Sequence, residues 1–471
     1  MQEILILTDS IDLQPELEYV CGILSRLYRA NFQVAFEFNP FTQNNTTIGY
    51  VRSDNQSQLP DNCRLSITID AHLWRTCFQS EFESIRTEDL DGIPIVSANN
   101  KKLTFNACGR QLRTNADIFV SIFFLLTRCE ERGNSVQPDQ HERFRSSGSL
   151  LGGEMVNVPW VNCYAAQLAK WLNEAYGIEL EARRVRPVAV ISHDIDIPFQ
   201  YKKLCQEASE IFYGLKGKGR YSSAKELLRY VLFLVGMRKD PYETYSYFME
   251  VEREYGIRST YFLLRDGANA WGLDDHRYKR IVKALVDAGH EIALHPGYDS
   301  YLDPDRIASE KASVEALSGL PVMGVRNHFL RFKVPESYRL VEKLGLSYDS
   351  TLGYAEQEGF RAGICTPFRP YDIEEHRPLD IVEIPLVVMD GTLQDYRGLT
   401  PAEADQSIRK LIDTVAQYKG TIVFNWHNTF FVESGSSWKQ VFEDSMTYLA
   451  KYGFEFLTCR ELADKHTMIR Q

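Results

Sequence analysis

Four short apolar runs in the second half of the chain lead directly into side chains that can perform acid–base or metal chemistry. The run at 188–191 leads into His193, Asp194 and Asp196, the run at 292–294 into His295, the run at 322–325 into Arg326 and His328, and the run at 422–424 into His427. Buried strands of parallel sheets have such apolar runs, and the carboxyl ends of those strands carry the functional groups. The pattern therefore predicts one site built from four strand ends.

The same part of the chain alternates between strand-like runs and stretches with helical periodicity. Predicted strands cover 188–191, 259–264, 291–294, 322–325, 381–384 and 421–425. Predicted helices cover 242–255, 276–288, 304–316, 336–344, 401–418 and 438–451. This alternation predicts an α/β domain with a parallel sheet, arranged as a (β/α) barrel or a distorted barrel.

A chain of 471 residues is too long for one ordinary hydrophobic core, so we expect two domains. The polar, proline-marked segment 183–187 predicts a boundary between an N-terminal domain, 1–186, and a C-terminal domain, 187–471. The first domain is predicted to be a smaller α/β accessory domain. Its strands are expected at 4–8, 33–38, 65–70 and 93–96, and its helices at 13–30, 117–132 and 168–176.

Composition excludes several classes of protein. A net charge of -11 argues against a general nucleic-acid binder, which would present a basic surface. The nine cysteines are scattered without a Cys-x-x-Cys pair, which argues against a disulfide framework or a cysteine zinc site. The N-terminal apolar run has no basic flank or cleavage site, and the run 231–237 is too short to span a bilayer. We therefore expect a soluble, cytoplasmic protein.

One segment departs from this acidic composition. Residues 201–239 contain nine lysines and arginines and three glutamates, together with the apolar stretch 227–235. Such an insert could lie on an anionic membrane near a lipid-linked sugar. The simpler interpretation is that its helices cover one side of the barrel, as amphipathic helices do on many soluble folds.

The residue types at the strand ends suggest roles, although each has a simpler structural alternative. Asp194 and Asp196 could divide the work, one acting on water and the other holding a cation, or they could be solvated loop acids. His295 suits a metal ligand and His427 a general acid, but both could be core histidines. Arg326 could orient Asp194 and lower its pKa, or lie on the surface.

The order of these motifs resembles that of the NodB-type polysaccharide deacetylases, carbohydrate esterase family 4. That family has an acidic first motif, then Gly-His-Glu-x-x-x-His, an arginine motif and a late histidine motif. The corresponding stretches are 192–196, 289–295, 326–328 and 426–427. The stretches 349–353 and 359–363 also resemble a bacterial two-domain subgroup, and 117–132 and 142–144 resemble its accompanying N-terminal domain.

The resemblance implies roles for individual residues. Asp194 would be the catalytic base, Arg326 its partner and His427 the general acid. Asp196 and His295 would be ligands of a divalent metal, for which the resemblance implies Zn²⁺. The family's next metal histidine corresponds to Asp299, so the third ligand is open between Asp299, His328 and His193. We favour His328, because an imidazole best replaces the lost imidazole.

The function implied is removal of acetyl groups from an N- or O-acetylated sugar in a glycan or glycan precursor. Tyr298 and Trp426 could form apolar walls for a sugar ring, or be ordinary core aromatics. Two rival functions are hydrolysis of a non-sugar amide and glycan binding by a degenerate domain without turnover. The simultaneous presence of a base, its partner and an acid argues against the second rival.

Overall fold

The computed structural model describes nearly the whole chain. The described residues are 2–36, 46–79, 82, 85–98, 102–133, 137–184, 186–201, 207, 211, 212, 214, 216, 223–265, 276–431 and 436–468. No helix within these ranges is long and apolar enough to cross a membrane.

The first part of the chain forms a sheet whose described strands run in the order β2-β1-β3-β4-β8-β7, with only β7 antiparallel to its neighbour. Its strands are β1 (Gln2–Thr8), β2 (Ala30–Ala35), β3 (Thr46–Val51), β4 (Leu65–Thr68), β7 (Phe105–Cys108) and β8 (Gln111–Thr114). A separate antiparallel hairpin joins β5 (Arg86–Leu90) to β6 (Ile93–Ser97).

Four helices accompany this sheet: α1 (Gln14–Leu27), α2 (Ala71–Gln79), α3 (Ile118–Leu126) and α4 (Trp160–Tyr176). All nine residues of α3 are buried. A helix that is apolar on every side belongs in a core, and α3 contacts both α1 and α4 there. Asp117 begins α3 by accepting a hydrogen bond from the backbone N–H of Val120.

The second part forms a parallel sheet with the order β16-β13-β12-β11-β10-β9-β18-β17, and β19 pairs with the start of β9. The strands are β9 (Val188–Ile195), β10 (Thr260–Leu264), β11 (Glu291–His295), β12 (Gly324–Val325), β13 (Tyr348–Asp349), β16 (Val382–Glu383), β17 (Val388–Met389), β18 (Thr421–Asn425) and β19 (Glu455–Phe456). A small antiparallel pair, β14 (Tyr371–Asp372) and β15 (Arg377–Pro378), lies outside it.

Helices alternate with these strands, as the sequence predicts. They are α5 (Ala224–Leu234), α6 (Tyr245–Glu254), α7 (His276–Asp287), α8 (Pro304–Ser318), α9 (Glu336–Lys343), α10 (Pro401–Tyr418), α11 (Ser436–Lys451) and α12 (Cys459–Met468). The α/β class and the curled parallel sheet of a distorted barrel are therefore confirmed. In the described residues the barrel is open between β16 and β17, which residues 384–387 connect.

Close packing inside the curled sheet depends on a glycine. A Cβ atom on Gly324 would lie 2.0 Å from the ring carbon Cζ of Tyr348 on the neighbouring strand. The hydroxyl of Tyr348 donates to Glu291 on β11 at 2.7 Å. Gly324 thus leaves room for a tyrosine whose hydrogen bond joins β13 to the start of β11.

The two sheets share one continuous apolar cluster, which contains residues of α1 and α3 as well as of β10, β11 and α9. A buried ion-pair network crosses the same junction. Glu131 accepts hydrogen bonds from Arg128 Nε at 2.7 Å and from Arg361 Nε and Nη2 at 2.9 and 2.6 Å. The division into domains at residues 186 and 187 stays a prediction.

The structure also corrects several predicted elements. Strand β9 continues to Ile195, so His193 and Asp194 lie within the strand and not after it. The polar residues remain in the ladder because β10 and β18 pair with β9 on both sides. Strands β3, β5, β7, β8, β13, β14, β15, β17 and β19 and helices α2 and α12 were not predicted.

Candidate active site and metal centre

Three of the predicted ligands converge at the carboxyl ends of the barrel strands. His295 Nε2 lies 3.2 Å from Asp196 Oδ1, and His328 Nε2 lies 3.8 Å from the same oxygen. Donor atoms of these three residues all lie within 4.8 Å of one another, which is the spacing of a metal site. The structure thus brings together the ligand set that the sequence favoured.

Protonation at His295 supports a cation between these donors. His295 Nδ1 lies 2.6 Å from the backbone carbonyl of Arg326, so Nδ1 carries the hydrogen and donates it. In the neutral imidazole, Nε2 then presents a lone pair towards the carboxylate of Asp196. Asp196 Oδ1 is buried and has no hydrogen-bond partner among the described residues. A lone pair facing a carboxylate requires a proton or a metal ion between them, so these residues fit a divalent cation.

His328 is suited to the same role. Burial and the neighbouring His295 lower the pKa of His328 to about 4, so its imidazole is neutral at pH 7. Burial opposes ionisation of Asp196, but His295 and then His427 outweigh it and hold the pKa of Asp196 below its ordinary value. The set therefore offers one carboxylate and two imidazole nitrogens, which is ordinary zinc chemistry. Burial lowers the pKa of His295, but the carboxylates of Asp194 and then Asp196 outweigh it and raise that pKa, so a bound cation would take the place of a proton on His295 Nε2.

Asp194 lies beside the metal donors and is held in a fixed position. Its Oδ1 accepts from Arg326 Nη1 at 2.9 Å, and its Oδ2 accepts from the Asn425 side-chain amide at 2.7 Å. Burial raises the pKa of Asp194, but the charge of Arg326, followed by those of His295 and His427, brings the pKa below its ordinary value. Asp194 is thus an ionised, oriented carboxylate, with Oδ2 at 3.9 Å from His295 Nε2.

Arg326 is fully buried and is itself fixed from several sides. It donates from Nη1 to Ser192 Oγ at 2.8 Å, from Nε to the Ser350 carbonyl at 3.0 Å, and lies 4.2 Å from the ring centroid of Phe262. A guanidinium with these partners cannot swing away from Asp194. The predicted pairing of Arg326 with Asp194 is therefore present in the structure.

His427 forms a dyad with an acid that the sequence analysis did not identify. Asp390 Oδ1 lies 2.6 Å from His427 Nδ1, and His427 Nε2 lies 3.7 Å from Asp196 Oδ2. Burial lowers the pKa of His427, but the Asp390 carboxylate outweighs it and raises the pKa to about 10. His427 is thus protonated at neutral pH, with Nε2 directed towards the metal donors.

The three metal donors, Asp194 and His427 line a cavity of about 190 Å³. Its aromatic lining comes from Phe329, Tyr396 and Phe430. Arg143, from the first part of the chain, also lines it and donates to the carbonyl of Phe329 at 2.9 Å and to the hydroxyl of Tyr396 at 3.0 Å. Phe329 has a φ of 59°, a left-handed conformation that this hydrogen bond helps to hold.

Two alternative ligands lie outside the donor group. Asp299 is exposed on a short 3-10 turn. His193 is buried on the other side of β9, with Nδ1 at 3.1 Å from the Trp426 carbonyl and Nε2 at 2.7 Å from Glu252. Adjacent residues of a strand face opposite sides, so His193 cannot accompany Asp194 into the cavity. The geometry favours His328 as the third donor.

Of the two alternatives for Tyr298 and Trp426, neither side chain forms a wall of the cavity. Trp426 is fully buried and packs against Phe424, Phe431 and Phe442 in the core. Tyr298 does not line the cavity, and Arg331 lies over its ring at 4.3 Å. Trp426 and His427 are adjacent in sequence, but Trp426 packs in the core and only His427 lines the cavity.

Sequence reasoning missed three residues of the site. Asp390 follows the apolar run 386–389, which has the same strand-then-acid pattern as the motifs that were recognised. Asn425 ends β18, two residues before His427. Arg143 lies in the stretch 142–144 that resembles an accompanying N-terminal domain, but its place in the cavity could not be predicted, because it comes from a part of the chain distant in sequence.

Comparisons with known proteins give limited similarity. A sequence family of unknown function, DUF7033, matches residues 4–177. No curated protein matches the chain. The chain is similar to a solved structure assigned as a polysaccharide deacetylase from Mycobacterium smegmatis, with 17% identity over 60% of this chain and 91% of that one and a TM-score of 0.40.

Two further solved structures are similar over the same share of the chain. The allantoinase Puue has 16% identity over 59% of this chain and 89% of its own, with a TM-score of 0.39. A pseudoenzyme of carbohydrate esterase family 4 from Bacillus anthracis has 14% identity over 59% and 66%, with a TM-score of 0.32. Identities and TM-scores this low decide neither the activity nor the substrate of this chain.

Proposed function

We propose that this protein is a metal-dependent hydrolase that removes acetyl groups from an N- or O-acetylated sugar in a glycan or glycan precursor. The observation that carries the proposal is the arrangement of an ionised acid and a protonated imidazole around one group of metal donors. Asp194 Oδ2 lies 3.9 Å from His295 Nε2, and His427 Nε2 lies 3.7 Å from Asp196 Oδ2. A base and an acid beside one cation are what hydrolysis of an amide or ester requires.

Asp196, His295 and His328 would hold the cation, which we propose to be Zn²⁺ because of the nitrogen and oxygen donors. When bound, a divalent metal would polarise the acetyl carbonyl and lower the pKa of a water molecule. The chain's own residues then supply the positioning and the proton transfers.

Asp194 is the proposed general base. Its pKa lies below the ordinary value, so the carboxylate is ready to accept a proton from the attacking water. Arg326 and Asn425 each bind one of its oxygens and prevent the carboxylate from rotating. Fixing the carboxylate before the reaction reduces the orientational cost of the proton transfer.

His427 is the proposed general acid. As the bond between the acetyl carbon and the sugar nitrogen or oxygen breaks, Nε2 donates its proton to the departing atom, and acetate and the free amine or hydroxyl result. Asp390 stabilises the imidazolium before the transfer and fixes which nitrogen faces the cavity. The oxygen of the attacking water has by then bonded to the acetyl carbon and remains in the acetate. Asp194 releases its proton to solvent and His427 takes one up from solvent, which restores the starting state.

The lining of the cavity supports a sugar substrate. Phe329 and Tyr396 are partly exposed aromatic side chains next to the acid and base. Aromatic faces bind the apolar face of a sugar ring, while polar neighbours bind its hydroxyl groups. Asn327 and Thr429 line the same cavity and provide such polar groups.

The direct test is acetate release from a panel of N- and O-acetylated sugars by the full chain supplied with Zn²⁺. We expect turnover by the wild type and a kcat about 10²- to 10⁴-fold lower in Asp194→Asn, the range for loss of general base catalysis. Asp299→Asn serves as the control, because Asp299 is exposed outside the donor group. Equal turnover by Asp194→Asn and the wild type would refute the base. Sugar binding without any acetate release would refute the hydrolase.

A further inference from the structure

Helix α5 (Ala224–Leu234) presents two apolar faces, of which one is anchored in the protein. Ser223 begins the helix by accepting from the N–H of Glu226, and Gly236, with a φ of 73°, lies just after its end. On the inner face Tyr230 is buried, and its ring centroid lies 5.2 Å from that of Tyr201. This face holds the helix against the barrel.

The outer face of α5 is apolar and exposed. Leu228 and Val231 on the helix are 58% and 45% exposed, and Val235, which caps its C-terminus, and Met237 just beyond are 62% and 77% exposed. Residues spaced three and four apart share one side of a helix, so these side chains form a single stripe. Soluble proteins seldom leave such a contiguous stripe uncovered, which indicates an interaction surface.

The charge around this stripe is opposite to that of the rest of the protein. Lys225 and Lys239 are exposed at its two ends. The segment 201–239 carries nine basic and three acidic residues, although the whole chain has a net charge of -11. An apolar stripe with basic flanks complements the anionic headgroups and acyl boundary of a membrane.

The segment that contains α5 also begins and ends beside the candidate active site. Asp240 accepts hydrogen bonds from the backbone N–H groups of Gln200 and Tyr201, so the two ends of the segment lie next to each other. Asn428, next to His427, donates to the carbonyl of Ile197 at 2.9 Å. The segment therefore emerges from the carboxyl end of β9, on the face of the barrel that carries the cavity.

We infer that α5 docks the protein on an anionic membrane surface through the stripe of Leu228, Val231 and Val235, with the cavity facing the bilayer side. The helix lies in the interface, since it is too short to span the bilayer. Docking itself is independent of the proposed hydrolysis. Its consequence, that the sugar substrate is carried on a membrane lipid, rests on the proposed function.

The test is sedimentation of the full chain with vesicles of phosphatidylcholine alone and with vesicles that contain about one third phosphatidylglycerol. We expect binding to the anionic vesicles and weaker binding as salt concentration rises. Leu228→Glu combined with Val235→Glu should reduce partitioning at least about tenfold, because it places two carboxylates in the interface. Ile11→Glu is the matched control, since Ile11 is 69% exposed but lies before α1, outside the segment 201–239.

Circular dichroism and thermal unfolding should be unchanged in both variants, because the substituted side chains are exposed. A wild type that remains in the supernatant with anionic vesicles overturns the inference. A concentration-dependent dimer that the Leu228→Glu, Val235→Glu variant abolishes would show that a second copy covers the stripe, and would also overturn it. Vesicle binding without acetate release would contradict the proposed function and leave docking supported.

Discussion

Asp390 holds His427 through two contacts: its Oδ1 lies 2.6 Å from the ring Nδ1, and its Oδ2 accepts the backbone N–H of His427 at 2.6 Å. The carboxylate thereby fixes both the ring and the main chain of the proposed acid. Asp390 is fully buried and follows β17, the edge strand of the open barrel. The dyad explains why an imidazole in this cavity remains protonated near neutral pH.

Asp390→Asn should lower kcat by about 10²-fold, because asparagine cannot stabilise the imidazolium that donates the proton. Without the carboxylate, the pKa of His427 falls from about 10 towards its ordinary value. The protonated fraction then declines at lower pH, so the alkaline limb of the kcat profile should move to lower pH. The measurement is acetate release against pH. An unchanged alkaline limb would show that His427 is not the acid that the profile reports.

The sequence predicted the metal donors better than it predicted their surroundings. His295 and Asp196 follow strong apolar runs, so their strand-end positions could be inferred from local pattern alone. Asp390 follows an equally apolar run, but the run lies directly after the predicted strand 381–384 and was not separated from it. Trp426 was a possible wall of the cavity and is instead a core residue. The sequence alone could not decide which of two adjacent side chains, Trp426 or His427, faces the cavity.

Long-range packing explains the remaining differences. Arg143 reaches Tyr396, which lies far away in sequence, and no periodicity predicts such a contact. Strand β3 was missed because Gly49 and two threonines interrupt its apolar pattern. A Cβ on Gly49 would lie 2.4 Å from Leu59 Cδ1, so glycine is needed there to leave space for the Leu59 side chain. The residue pattern within the strand does not reveal such a packing requirement.

Glu131→Gln should destabilise the protein strongly, because it removes the carboxylate that pairs with buried Arg361 and one of the two that pair with Arg128, which keeps Glu130. Breaking a buried ion-pair network by removing one partner costs about 3–5 kcal/mol. The free energy of unfolding from chemical denaturation measures the effect. Glu374→Gln is the control, since Glu374 is half exposed and its ion pair with Arg339 should contribute less than about 1 kcal/mol. Equal losses in both variants would contradict a special role for the junction network.

Asp349→Asn should weaken the pH dependence of stability. Asp349 and Glu383 are opposite each other on β13 and β16, and each has a buried carboxyl oxygen without a hydrogen bond. Burial raises the pKa of Asp349 from 3.8 to about 6, so the folded protein favours the protonated acid. The associated stability is present at low pH and is lost as pH rises through about 6.

The free energy of unfolding of the wild type should therefore fall between about pH 4 and pH 7. In Asp349→Asn the fall should be smaller, by roughly 1–3 kcal/mol, because the amide does not titrate. Chemical denaturation at several pH values measures this difference. Parallel curves for the two proteins would mean that Asp349 is not a source of the pH dependence.

The metal content of purified wild type, His328→Ala and Asp299→Ala tests the central claim most directly. The geometry predicts one divalent ion per chain in the wild type and in Asp299→Ala, because Asp196, His295 and His328 remain intact in both. It predicts loss of most of that ion in His328→Ala, with circular dichroism confirming that the variant is folded. Full occupancy in His328→Ala, or loss in Asp299→Ala, would contradict the proposed metal centre.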